Sequence, residues 1–116
     1  MSESAWNAGV GALQAAGIAV SAVDDVAGLA VMRTVAMLAN EAADAVTQGI
    51  ATAHDVDLAM QKGVNYPVGP LAWADRIGAA RVREVLVNLT AHYGEDRYRI
   101  SPLLARRCAA AQALAD

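Results

Sequence analysis

The stretch DDVAGLAVMRTVAMLANEAADAVTQG, residues 24–49, decides the fold. Met32, Ala36, Ala39, Ala43, Val46 and Ile50 recur at steps of three and four, which is the repeat of one helix face. Val31, Val35, Leu38, Ala42 and Ala45 form a second seam beside it, so apolar residues cover about half the circumference. Arg33, Asn40, Glu41, Asp44 and Gln48 hold the opposite stripe, interrupted by Met37. So wide an apolar face needs packing partners on two sides, which predicts a central helix of a bundle. Asp24 and Asp25 are its expected caps, because carboxylates accept from free N–H groups at a helix start. Gly49 is its expected stop.

Glycine and proline divide the rest of the chain. Residues 4–16 read as a short helix closed by Gly17. Residues 18–23, Ile-Ala-Val-Ser-Ala-Val, are short and partly β-branched, which predicts a strand with no sheet to join inside this chain. Thr52-Ala-His-Asp55 resembles a capping box and opens a helix to Lys62, stopped at Gly63. Asn65 to Pro70 must then be a loop, with Pro70 at the first position of a helix that runs through Leu71–Ile77 to Gly78. Val82, Val85, Leu86, Leu89 and Tyr93 give the next helix one stripe, ended by Gly94. Ser101-Pro102 opens a last helix toward Ala115. The fold class is all-α: a helical bundle with a helix–strand appendage at residues 1–23 and a helical domain at residues 24–116.

Composition sets the limits. The chain has 116 residues, room for one domain, with 56% hydrophobic and 18% charged residues. Alanine takes 28 positions and phenylalanine none. Such a core packs closely but buries little area per residue, which predicts a second chain as partner. One cysteine, Cys108, excludes a disulfide scaffold. The most apolar run, Val26–Met32, is cut by Arg33 long before the roughly 18 residues of a membrane span. Met1-Ser-Glu-Ser4 lacks a basic start and an apolar block, so a cytoplasmic protein is expected. The net charge is −3 and no nucleic-acid reader motif is present, so nucleic acid is not an expected partner. Arg97, Arg99, Arg106 and Arg107 either face phosphates or form a solvated flank beside Glu95 and Asp96, and their spacing favours the flank.

Catalytic groups are few. His54 lies in a first helical turn and His92 in a last one, where a cationic imidazole stabilises the helix end. Neither has carboxylates at metal-ligand spacing beyond the adjacent Asp55, so no metal is expected. Cys108 lies on an apolar face with Leu104 and Ala111 and reads as a small buried hydrophobe. No glycine-rich phosphate loop or nucleophile elbow is present, and no catalytic residue is assigned.

A family resemblance runs from Asp24 to Cys108. Gly28-Leu-Ala-Val-Met-Arg33, then Asn40-Glu-Ala42 and Gly49, resembles the opening helix of the C-terminal domain of 3-hydroxyacyl-CoA dehydrogenases. Asp55-Val-Asp-Leu-Ala-Met-Gln-Lys-Gly63 is similar to the family's second helix. Tyr66-Pro-Val-Gly-Pro-Leu-Ala-Trp-Ala-Asp75, then Ile77-Gly78, is similar to its most recognisable loop and helix. Tyr98-Arg and Pro102-Leu-Leu resemble its end.

The resemblance implies a bundle like the C-terminal part of 6-phosphogluconate dehydrogenase. It implies a role in dimerisation and in the acyl-CoA site of an NAD-dependent enzyme of fatty-acid or aromatic-acid β-oxidation. It places NAD and the His–Glu catalytic pair in a separate Rossmann domain, so no cofactor is expected in this chain, and Leu13–Val23 resembles that domain's last unit. Active members usually carry Val-Asn-Arg where this chain has Val31-Met32-Arg33. Met32 thus stands at the family's active-site Asn, as in the second, degenerate copy of a duplicated bacterial form. By its place in the apolar arc, Met32 reads as core. The resemblance also marks Arg33, Tyr66, Pro67, Gly69 and Pro70 as residues of a substrate cleft or interface. Arg33 either orients substrate or pairs with an acid such as Asp75, and pairing is preferred. Tyr66 and Pro67 either line an acyl-CoA cleft or shape a turn. Gly69 and Pro70 read as helix-start geometry. The expected partners are a second copy, a Rossmann domain and acyl-CoA. The alternative is a stand-alone, non-catalytic dimerisation or acyl-CoA-binding module.

Overall fold

The structure, a computed structural model, describes residues 2–116. Its elements are α1 (Glu3–Ala15), α2 (Val31–Thr47), α3 (Ala53–Gly63), α4 (Pro70–Ile77), α5 (Ala79–Tyr93), a 3-10 turn (Asp96–Tyr98) and α6 (Pro102–Ala109). The all-α expectation holds, and no strand occurs among the described residues. Residues 18–23 run without regular structure, because a strand is held by a ladder and no neighbouring strand exists here to supply one. The strand of the expected appendage is therefore not formed.

Helix α2 is central: α3, α4, α5 and α6 all pack on it. Its alanines make that possible. Ala36 and Ala43 are fully buried and Ala39 nearly so, and their methyl-sized side chains let Leu71, Leu86 and Leu104 come close. The Ala seam is thus used up inside the chain and is not free for a second copy. α2 also starts later than its acidic flank suggested. Gly28 and Leu29 have φ of +80° and +48°, in the left-handed region, so the backbone turns there and Asp24 and Asp25 cap nothing in α2. A Cβ at Gly28 would lie 3.0 Å from Leu89 Cδ2, so the turn is also packed against α5. At the far end Gly49 N–H donates to Val46 O and Ile50 N–H to Ala45 O, the paired bonds of a glycine C-cap.

α6 ends at Ala109, short of the expected Ala115. Ala111 has φ +52° and reverses the chain, and Leu114 is driven into the core. Helix α1 has no buried residue and stands off the bundle as an arm. The radius of gyration, 17.1 Å, accordingly exceeds the about 13 Å of a compact chain of this size.

Three polar side chains hold the bundle's loops. Buried Asp57 on α3 reaches the start of α4, where Leu71 N–H donates to Oδ1 at 2.8 Å and Ala72 N–H to Oδ2 at 2.9 Å. Buried Asn40 on α2 pins the approach to α6: Nδ2 donates to Arg99 O and Oδ1 accepts from Ser101 N–H, both at 2.8 Å. Asp75 on α4 accepts from Leu114 N–H at 2.8 Å and Ala115 N–H at 3.0 Å, tying down the C-terminal residues. Gly69 is required by the first of these, since a Cβ there would overlap the Asp57 carboxyl group.

Asp57→Ala is expected to lower the unfolding free energy by about 2–4 kcal/mol, because it orphans two backbone donors, one of them buried. Gly69→Ala should cost a comparable amount alone and little more in the Asp57→Ala background. Urea unfolding of the four proteins measures this, and strictly additive costs would refute the steric account. Asn40→Ala is expected to cost about 2–3 kcal/mol in the same assay, and a loss under about 0.5 would show that water replaces the amide.

Candidate functional site

The N-terminal half of α2 and the face of α4 beside it form an apolar wall. Trp73 stands at its centre because Asp57 fixes the first turn of α4, and the indole is carried by the residue directly after the two capped amides. Two half-open hollows meet at this wall. One, of about 480 Å³, is lined by Val23, Leu29, Met32, Val35, Trp73 and Ile77 and presents almost no polar surface. The other, of about 360 Å³, is lined by Val31, Leu38, Tyr66, Pro67 and Trp73 with Thr34. Val31 is 74% exposed and Leu29 50%, so the wall's rim is uncovered.

Met32, expected in the core, is half-buried and lines the first hollow. Its thioether offers no strong hydrogen bond there. Tyr66 and Pro67 line the second hollow, which gives the loop a lining role besides its turn. Gly69 and Pro70 sit under the Asp57 carboxylate at the start of α4, as helix-start geometry, and line neither hollow.

Arg33 points away from both hollows. It does not pair with Asp75, whose oxygens are taken by the backbone of Leu114 and Ala115. Its guanidinium instead donates to Tyr98 Oη and, at 3.5 Å, to Tyr93 Oη, and lies over both rings at 4.9 and 5.3 Å. These contacts anchor the first turn of α2 to α5 and to the fully buried Tyr98. Arg33 also lines a third hollow, of about 590 Å³, with Val23, Asp24, Leu29 and Thr34.

Three of the four clustered arginines have partners within the chain. Arg97 pairs with Glu95, Arg99 with Asp44 at 2.9 Å, and Arg107 donates to Asp116 O. His54 and His92 are exposed, and His92 packs edge-on against Tyr93. Among the described residues no group of three His, Cys, Asp or Glu side chains is placed to hold a metal. Burial raises the Cys108 thiol above its ordinary range, with Arg83 opposing and Asp75 adding to the shift. No helix of the described residues is long and apolar enough to cross a membrane.

Sequence reasoning did not single out Asp57 or Trp73. An Asp among helical residues reads as solvated surface, and only the approach of α4 reveals it as a cap. Trp73 carried a signal, being the one large aromatic of its helix, without anything to say which side it would face.

The chain's likeness to known proteins matches this geometry. The sequence profile described as "3-hydroxyacyl-CoA dehydrogenase, C-terminal domain" covers residues 28–114. A 3-hydroxyadipyl-CoA dehydrogenase of Escherichia coli is 50% identical over 95 residues, which is 82% of this chain and 20% of that protein. A 3-hydroxybutyryl-CoA dehydrogenase of Clostridioides difficile is 36% identical over 90 residues, 78% of this chain and 32% of that one. Among solved structures, the 3-hydroxybutyryl-CoA dehydrogenase of E. coli aligns with TM-score 0.83 and 44% identity, over 95% of this chain and 23% of that one. The (S)-3-hydroxybutyryl-CoA dehydrogenase of Ralstonia eutropha aligns with TM-score 0.88 and 29% identity, over 96% of this chain and 39% of that one. The chain thus spans between a fifth and a third of these two curated relatives. With the profile covering most of its length and the bundle superposing throughout, the chain belongs to the family of 3-hydroxyacyl-CoA dehydrogenase C-terminal domains.

Proposed function

We propose that this chain is the dimerisation and acyl-CoA-site domain of a cytoplasmic, NAD-dependent 3-hydroxyacyl-CoA dehydrogenase of fatty-acid or aromatic-acid β-oxidation. The observation that carries the reading is the uncovered apolar wall of Leu29, Val31, Met32, Val35 and Trp73. A monomer that leaves such a wall in water is expected to cover it with acyl chain or protein. In this reading the chain's residues exclude water and shape the acyl-binding face, while hydride and proton transfer belong to a Rossmann partner. Met32 in place of the family's Asn supports the second, degenerate copy of a duplicated form.

The residues present do not fit NAD itself. A pyrophosphate needs free N–H groups at a helix start approached by a glycine turn. The start of α4 has its glycine, but the Asp57 carboxylate already occupies those donors and would repel a second anion.

Two outcomes are expected. Light scattering after size exclusion at micromolar concentration should give about twice the 12.0 kDa of the chain, and Val31→Glu should reduce it to monomer while leaving the helical circular dichroism unchanged, because Val31 is 74% exposed within the single chain. A monomer at every concentration would remove the dimer. The isolated chain should neither bind NAD by calorimetry nor turn over acetoacetyl-CoA with NADH, and Met32→Asn should not restore turnover. Activity that survives repurification and disappears on changing His54 or His92 would overturn this reading.

A further inference from the structure

Helix α1 gathers its large apolar side chains on one face, and nothing in this chain covers them. Trp6, Gly9, Val10 and Leu13 stand at the spacing of one helix side. Trp6 is 42% exposed and Leu13 45%. Gly9 lies in the middle of that side, where glycine disfavours a helix, and a Cβ there would meet nothing within 4 Å. No neighbour within the chain therefore needs the notch that Gly9 makes. The whole chain exposes 7384 Å², where a compact monomer of 12.0 kDa exposes about 6,000 Å². The excess, about 1,400 Å², is more than the roughly 800 Å² that each partner gives to a stable interface of standard size.

We propose that α1 is a pairing arm, which packs antiparallel on α1 of a second copy across a two-fold axis between Gly9 and Val10. About that midpoint Trp6 comes opposite the partner's Leu13, and Gly9 opposite the partner's Val10. The large side chains pair at both ends, and each Val10 drops into a glycine notch at the centre, where the backbones come close. Glu3 is the only charged residue of α1. An antiparallel pair keeps the two Glu3 carboxylates at opposite ends, about 20 Å apart for a helix of 13 residues, whereas a parallel pair sets them side by side. With no cation on α1, nucleic acid or an anionic membrane has no charge to hold. The inference rests on the second copy proposed above and deepens it, since the arm is a contact separate from the Val31 wall.

The test measures the dimer dissociation constant by sedimentation equilibrium, with circular dichroism to show that each variant keeps its helices. Gly9→Leu raises helix propensity and adds apolar surface, so it would strengthen a contact that needs only an oily α1. Here it fills the notch and should weaken the dimer at least about 10-fold. Trp6→Leu and Leu13→Trp should each weaken it several-fold. Combined in one chain they exchange the two opposed side chains, and the constant should return to within about 3-fold of the parent. A partner other than α1 itself gives no such rescue, so a double variant no better than the single ones overturns the proposal. A parent dimer unaffected by Gly9→Leu overturns it too and leaves the wall contact standing. A Val31→Glu protein that stays dimeric until Gly9→Leu is added supports the arm and removes the wall contact instead.

Discussion

Two backbone hydrogen bonds to Asp57 set the position of α4, and much of the rest depends on that position. α4 has eight residues, too few to be stable by propensity, so its direction must come from outside. Asp57 supplies it by accepting from the first free N–H groups, where a carboxylate is favoured by both hydrogen bonding and the helix dipole. Once α4 is aimed, Leu71 and Ala74 face α2, and Trp73 and Ile77 line the apolar hollow. Asp75, on the same helix, then receives the C-terminal backbone.

The alanine face of α2 and these polar contacts answer one problem. Small side chains allow close approach but bury little apolar area, so the hydrophobic term per residue is modest. Asn40, Asp57 and Asp75 compensate by satisfying backbone donors and acceptors of loops that would otherwise be held by few contacts. Each acts between elements distant in sequence, and so each fixes tertiary structure rather than a local turn.

Around the wall, adjacent residues have opposite tasks. Met32 presents a thioether to an apolar hollow, while Arg33, one position on, turns about a third of the way round the helix to the tyrosines of the other side. The left-handed turn at Gly28–Leu29 brings the segment of Val23 and Asp24 across both sides, so the two hollows adjoin. The first turn of α2 therefore sets a cation and an apolar surface side by side.

Periodicity and punctuation along the chain suffice for the helical class, the central place of α2 and most helix boundaries. These follow from periodicity and from glycine and proline, which act within a few residues along the chain. It also carried the family, through motifs at Tyr66–Asp75 and Asp55–Gly63. What the polar residues do depends on contacts between elements far apart in the chain. Arg33 meets tyrosines rather than Asp75, because that carboxylate is engaged by the chain's end. The strand read at residues 18–23 does not form, because β-propensity without a neighbouring strand satisfies no backbone hydrogen bonds. α2 starts at Val31 rather than after Asp25, because the turn at Gly28 packs against Leu89, a contact sixty-odd residues away that local patterning cannot contain.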